Sequence, residues 1–393
     1  MFVKIFSAQT LPLKMSFLIF SMVLNCMGIL ILQLSGNQIS YNKLGLLEAF
    51  KDLPIAFVSL FAVNFIHRLG NKNSLLISLF IVGICCTLLP FVEEFWFYKI
   101  WFGLIGICFA MAKIAVYGLI RNNISTENQL AKVMSSVEAS FMLGIFLVNI
   151  GFGWLLASEY SADWKFGFWF IALLAFLNFL MLLKTEFIDG GQTTEVFSKK
   201  IFAQFLSRKS VLFFSIIFGI VFIEQNFNSW LPSFYKKYLN VSTFSALQAS
   251  AFLALFSYIG RVITSQIIHK FSLAKYFLAC VVLIFTMLMI SYLLLTVNDS
   301  QIILFIFPLI GLFLAPLYPV VSSKMISGIK KEDINIFTSL MVIFSSLGSS
   351  VGSISISFLF QYSLGSYYAI FISIAVLIVF IIGFFYFKTF VSK

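Results

Sequence analysis

The chain is a succession of apolar segments, each about 20 residues long and separated by short polar turns; that length matches one helical passage through the hydrocarbon of a bilayer. Twelve such spans can be drawn, at 14–35, 44–66, 74–92, 96–119, 132–156, 166–184, 211–233, 245–268, 276–296, 301–323, 336–360 and 366–388. None shows the polar/apolar alternation over about ten residues that marks a transmembrane strand. The expected fold is therefore an all-α membrane protein with twelve transmembrane helices. Composition agrees, since 61% of residues are hydrophobic, only 10% are charged, and the mean hydropathy is +1.03. The first span is too long for a signal peptide and lacks a small-residue cleavage site, so it is expected to be retained.

Basic residues orient the spans. Of the 26 lysines and arginines, three fall inside spans, five (Lys43, Lys99, Lys165, Lys236 and Lys237) fall on one side, and the remaining eighteen fall on the other. The asymmetry predicts both termini on the cytoplasmic side, and a bacterial inner membrane is the expected location. The net charge of +11 is then a topology signal, and no soluble basic domain exists to bind nucleic acid. The five cysteines all lie within spans and carry no metal-ligand spacing, so no disulfide, metal or other cofactor is expected. No Walker loop or nucleophile elbow appears, which argues against an enzyme.

One connection is long and polar: residues 185–210, with Gly190-Gly191 and the cluster Lys199, Lys200, Arg208, Lys209. It predicts an N-terminal six-helix bundle over 1–184, a cytoplasmic linker over 185–210 and a C-terminal six-helix bundle over 211–393. The halves echo each other. The chain's only two histidines occur in "FIHRLGNK" and "IIHKFSLAK", at His67 and His269, 202 positions apart and each closing an apolar run. "GLIGICFA" at Gly103 and "PLIGLFLA" at Pro308 repeat at an offset of 205. Two pseudo-symmetric bundles are the natural reading of such a repeat.

These residues resemble the major facilitator superfamily of secondary transporters. Its signature G-x-L-A-D-R-x-G-R-[KR] follows the second span, where "VNFIHRLGNK" supplies Arg68, Gly70 and Lys72 in register. Val63 stands for the leading glycine and His67 for the aspartate; the second copy keeps His269, Lys270 and Lys275. The resemblance implies a cytoplasmic gate motif at His67, Arg68, Gly70, Lys72, His269 and Lys270. The two histidines read either as neutral hydrogen-bonding substitutes for aspartate or as a pH-sensitive latch, given an ordinary imidazole pKa of about 6.5. "SYIGRVITSQII" around Arg261 and "GLFLAPLYPVVSS" around Pro319 are similar to the fucose/galactose/glucose proton symporters. The acidic residue that this group places in its first span is missing here, where Asn25 and Gln33 are the polar groups.

An ionisable residue inside a span costs a few kcal/mol and is by default a functional candidate. Seven occur: Glu48, Lys51, Asp52, Lys113, Glu138, Glu224 and Arg261. From a helical rise of about 1.5 Å per residue, Lys113 and Glu138 lie at nearly the same height, so they are expected to meet in at least one conformation, as a permanent staple or as a pair broken by substrate or proton. Glu224 and Arg261 form a second expected pair, which can exchange a proton as access alternates. Glu224 is the first candidate for proton coupling and Glu138 the second. Glu48, Lys51 and Asp52 share one helix face and suggest an outer network or gate, with snorkelling to the interface as the alternative for Glu48. The remaining candidate substrate contacts are Lys113, Arg261, Asn25, Gln33, Asn226, Asn228 and Tyr318, the last matching Lys113 at the 205 offset. Gly144, Gly348 and Gly352 are expected at close helix crossings, Pro316 and Pro319 at kinks in the tenth span, and Trp230 in the interfacial belt.

The residues thus point to proton-coupled import, by a monomer, of a small polar solute that is carboxylate-bearing or zwitterionic, such as an amino acid, organic acid or carboxylate siderophore. The alternatives are a proton-coupled sugar symporter and a drug/proton antiporter. The antiporter reading is weakened because "EASFMLGIFLVNIGFGWLLAS" has no Gly-Pro pair. A non-transporting receptor would add a soluble domain or lose the intramembrane charges, and this chain does neither.

Overall fold

A computed structural model describes residues 2–36, 39–123, 127–188, 207–296, 300–326 and 334–391. Their regular elements are helices throughout: α1 (Phe2–Leu24), α2 (Met27–Gly36), α3 (Tyr41–Leu69), α4 (Asn71–Leu88), α5 (Phe95–Asn123), α6 (Glu127–Ala157) and α7 (Gly167–Lys184). After the linker come α8 (Arg208–Tyr238), α9 (Thr243–Ile267), α10 (Leu273–Thr296), α11 (Ser300–Leu309), α12 (Gly311–Leu314), α13 (Leu317–Ile326), α14 (Ile334–Gln361) and α15 (Tyr368–Val391), with short 3-10 turns at some ends. Among the described residues, eleven stretches are long and apolar enough to cross a bilayer. The twelfth is α3, whose 29 residues suffice in length while Glu48, Lys51 and Asp52 lower its hydropathy.

Two spans are broken, and each break has a local cause. In the first, Asn25 donates through Nδ2 to the Ser21 carbonyl (2.9 Å) and the Cys26 thiol to that of Val23 (2.9 Å), so side chains compete with the helical ladder between α1 and α2. In the tenth, the regular helix is interrupted at Ile310 and again at Ala315-Pro316, although Ile310 and Ala315 keep helical dihedrals. Pro316 has no N–H to offer the Leu312 carbonyl. Pro319 falls in the first turn of α13, where a missing N–H costs nothing, so it starts a helix rather than kinking one.

Contacts divide the chain into two compact units: Met1–Cys26 with Phe50–Val196, and Met27–Ala49 with Phe197–Lys393. In the first unit, α1 packs on α6 and α7, and α4 on α5 and α7. In the second, α8 packs on α14, α15, α9 and α2, and α10 on α15. The internal repeat shows in matched glycine contacts within each unit. A Cβ at Gly106 on α5 would collide with the Lys51 carbonyl on α3, and one at Gly311 would collide with the Leu253 carbonyl on α9. A Cβ at Gly144 on α6 would strike the Leu18 carbonyl on α1, and one at Gly348 on α14 the Phe218 carbonyl on α8. The echo in the sequence is thus a shared need for helices to cross backbone to backbone.

Gly70, the glycine of the signature phrase, joins α3 to α4 with φ 81° and ψ 157°, a conformation open almost only to glycine. Directly after the turn, the ammonium of Lys72 donates to the Leu183 carbonyl (3.1 Å) in the last turn of α7, the end of a helix that favours a cation. Gly70→Ala is therefore expected to cost about 1–3 kcal/mol and to lower the thermal unfolding midpoint in detergent. Gly151→Ala, on α6 with open space around the position, should leave it unchanged or raise it slightly.

Candidate functional site

In the first unit, α5 presents Phe109, Lys113 and Tyr117 at four-residue intervals, hence on one face. The half-buried Lys113 places its ammonium 5.7 Å from the centroid of the Phe109 ring. One turn along, the Tyr117 hydroxyl donates to Oε1 of Glu138 on α6. Behind these groups runs an aromatic wall: Phe109 meets Phe20 (5.9 Å) and Phe141 (5.9 Å), and Phe17 meets Phe141 (6.3 Å) and Tyr117 (5.8 Å). Among the described residues no ion pair joins Lys113 to Glu138. Tyr117, one turn from Lys113 and not among the candidates read from the sequence, holds the carboxylate in this conformation.

Elsewhere in this unit Lys51 and Asp52 lie almost wholly buried, with Nζ 3.7 Å from Oδ1. Asn25 is spent on the Ser21 carbonyl at the helix break. At the signature turn Arg68 is exposed, as is Lys270 in the second unit. The side chains of His67 and His269 lie outside the described residues.

The second unit brings Glu224 on α8 and Arg261 on α9 together, Oε1 to Nη2 at 4.0 Å, with each side chain about a quarter exposed, 24% and 25%. That spacing is at the outer limit of an ion pair, so the two are neighbours in a partly hydrated setting rather than a locked staple. Asn226 is fully buried, and among the described residues neither amide atom finds a hydrogen-bond partner, while its carbonyl accepts from Tyr368 (2.8 Å). Gln33, Asn228 and Tyr318 are half-buried.

Glu48 is fully buried as well, which removes snorkelling as a reading. Its Oε1 accepts from Gln225 Nε2 (2.7 Å) and its Oε2 from the Ser229 hydroxyl (3.0 Å), both on α8. Trp230 is not an interfacial belt residue. It is fully buried, donates from Nε1 to Ser353 Oγ (2.9 Å), and packs on Phe360 (5.2 Å). Its height near a helix end suggested the interface, but its azimuth points it at α14. The five cysteines are buried and form no disulfide with one another.

A search of the curated proteins finds no match to the chain. Solved structures do match in fold. An E. coli fucose:proton symporter superposes with a TM-score of 0.69 at 13% identity, covering 96% of this chain and 98% of the other. A D-xylose-proton symporter gives 0.75 at 14%, covering 96% and 97%. A bacterial homolog of the human lysosomal transporter Spinster, inward-facing and occupied, gives 0.70 at 14%, covering 98% and 96%. At such identities these likenesses speak for fold alone. The sequence model of the Major Facilitator Superfamily matches residues 14–353. The chain is therefore a multi-pass integral membrane protein belonging to the Major Facilitator Superfamily, the secondary transporters that work by alternating access.

Proposed function

We propose that this transporter carries a small carboxylate-bearing or zwitterionic solute inward together with protons, through a monomer in a bacterial inner membrane with both termini cytoplasmic. In this reading the bundles 1–184 and 211–393, joined by 185–210, rock about a central path. The observation that carries it is Lys113. Its half-buried ammonium rests against a ring, while the carboxylate expected to balance it is engaged by Tyr117. An ammonium held at that depth attracts an anionic group, and a solute carboxylate supplies one. Glu224, beside Arg261, is the proton carrier, and Glu138 is the second titrating group; Asn25, Gln33, Asn226, Asn228 and Tyr318 offer neutral polar contacts.

The structural likeness to two sugar-proton symporters, together with the unpartnered amide of Asn226, supports a neutral sugar as the second reading. Uptake into proteoliposomes separates the two. With an imposed inward proton gradient, amino acids, organic acids or carboxylate siderophores are expected to accumulate, and a protonophore should abolish the accumulation. Accumulation of neutral sugars alone overturns the substrate class, and accumulation indifferent to the gradient overturns proton coupling.

A further inference from the structure

Two short pieces of the N-terminal half of the sequence, α2 and the first turns of α3, pack in the second unit against helices of the C-terminal half. The packing is close: a Cβ at Gly28 would sit 3.1 Å from the Asn228 carbonyl, and one at Gly45 would crowd Ser357. Tyr41 caps it, with its ring 6.1 Å from Trp230 and 5.6 Å from Phe360 and the Lys237 ammonium 4.7 Å from its centroid. Beneath these apolar contacts lies Glu48. Its hydrogen bonds run in one direction: Gln225 Nε2 donates both to Glu48 and to Ser229 Oγ (2.5 Å), and Ser229 donates onward to Glu48. Every hydrogen in the trio points toward the carboxylate, the arrangement that an ionised acid requires.

We infer that Glu48 is the latch of this gate and works only as an anion, so that its protonation releases α2 and the start of α3 from α8 and α14. A protonated Glu48 would donate to the Ser229 oxygen and displace that hydroxyl's own hydrogen, and both bonds to the acid would lose their charge assistance, roughly half of their strength. The latch is then weaker in a buried setting, where a displaced polar hydrogen is costly. Charged or titratable groups lie on two of the helices packed here. Tyr41, Lys43, Lys51 and Asp52 lie on the same helix, α8 carries Glu224, beside Arg261, and toward its end Tyr235, Lys236, Lys237 and Tyr238, while α2 and α14 contain no titratable residue. The inference rests on alternating access and not on the solute, since the gate can be observed with none present.

The test uses spin labels at Lys43→Cys and Tyr362→Cys, both exposed positions of the second unit, with distances read by pulsed electron resonance in nanodiscs. At about pH 8 the wild-type background should show mainly the short distance, and at about pH 5 the long-distance population should rise about fivefold or more. Glu48→Gln should show the long distance at both pH values. Gln225→Leu and Ser229→Ala, which keep the carboxylate and remove one donor each, should give intermediate populations that still respond to pH. A wild-type distribution that ignores pH overturns the inference. So does a Glu48→Gln distribution like the wild type, or donor variants that change nothing, which decides the matter if Glu48→Gln does not fold.

Discussion

Glu224→Gln is expected to abolish driven accumulation while leaving exchange of solute across the membrane intact. A proton gradient of two pH units stores about 2.8 kcal/mol, so coupling one proton to one solute sustains roughly a 100-fold concentration ratio. Without a titrating group at position 224 that ratio should fall to about 1. Counterflow, which needs only binding and the rocking of the halves, should continue at a rate within a few-fold of wild type. The geometry favours this split. A carboxylate 4.0 Å from a guanidinium and partly hydrated is near enough to feel the cation, yet not enclosed in the way that would make glutamine a folding lesion. Gradient-driven uptake that survives in Glu224→Gln would assign coupling to Glu138 or to the Glu48 latch. Loss of counterflow along with accumulation would make the pair structural instead.

Most of the architecture was legible because it depends on local quantities. Apolar length is read along the chain, and the repeat appears as matched phrases because Gly106 and Gly311 answer the same steric demand in each half. The break in the tenth span follows from the chemistry of Pro316. Which charges meet was less legible, because helical rise fixes height only to about a turn and leaves azimuth open. Lys113 and Glu138 were expected at one height, but Tyr117, one turn along the same face of α5, takes the carboxylate while Lys113 rests against Phe109. Trp230 failed for the same reason. The partners of Glu48 lie 177 and 181 residues away, and nothing near Glu48 in the chain signals Gln225 or Ser229. The one local clue overlooked was the four-residue spacing of Phe109, Lys113 and Tyr117.

That spacing leads to the second large effect, expected for Lys113→Met. A lysine ammonium within a span costs up to about 2.5–3.5 kcal/mol on insertion scales. A cation–π contact returns about 0.5–2 kcal/mol, so the Phe109 ring leaves part of that cost standing. Helix packing carries the deficit in the empty protein, and a bound carboxylate reduces it. Hydrogen bonds to charged groups contribute about 1.5–3 kcal/mol, and loss of the ammonium should therefore weaken binding of a carboxylate solute about 10- to 100-fold. Its neutral amide analogue should bind Lys113→Met about as well as wild type, while Lys113→Arg should keep most of the preference for the anion, because a guanidinium also engages a carboxylate. The measurement is the half-saturation concentration for counterflow with each solute in each variant. Equal losses for acid and amide would mean that Lys113 shapes the helix packing without touching the solute. A loss confined to the acid ties the unbalanced charge on α5 to the carboxylate it was proposed to receive.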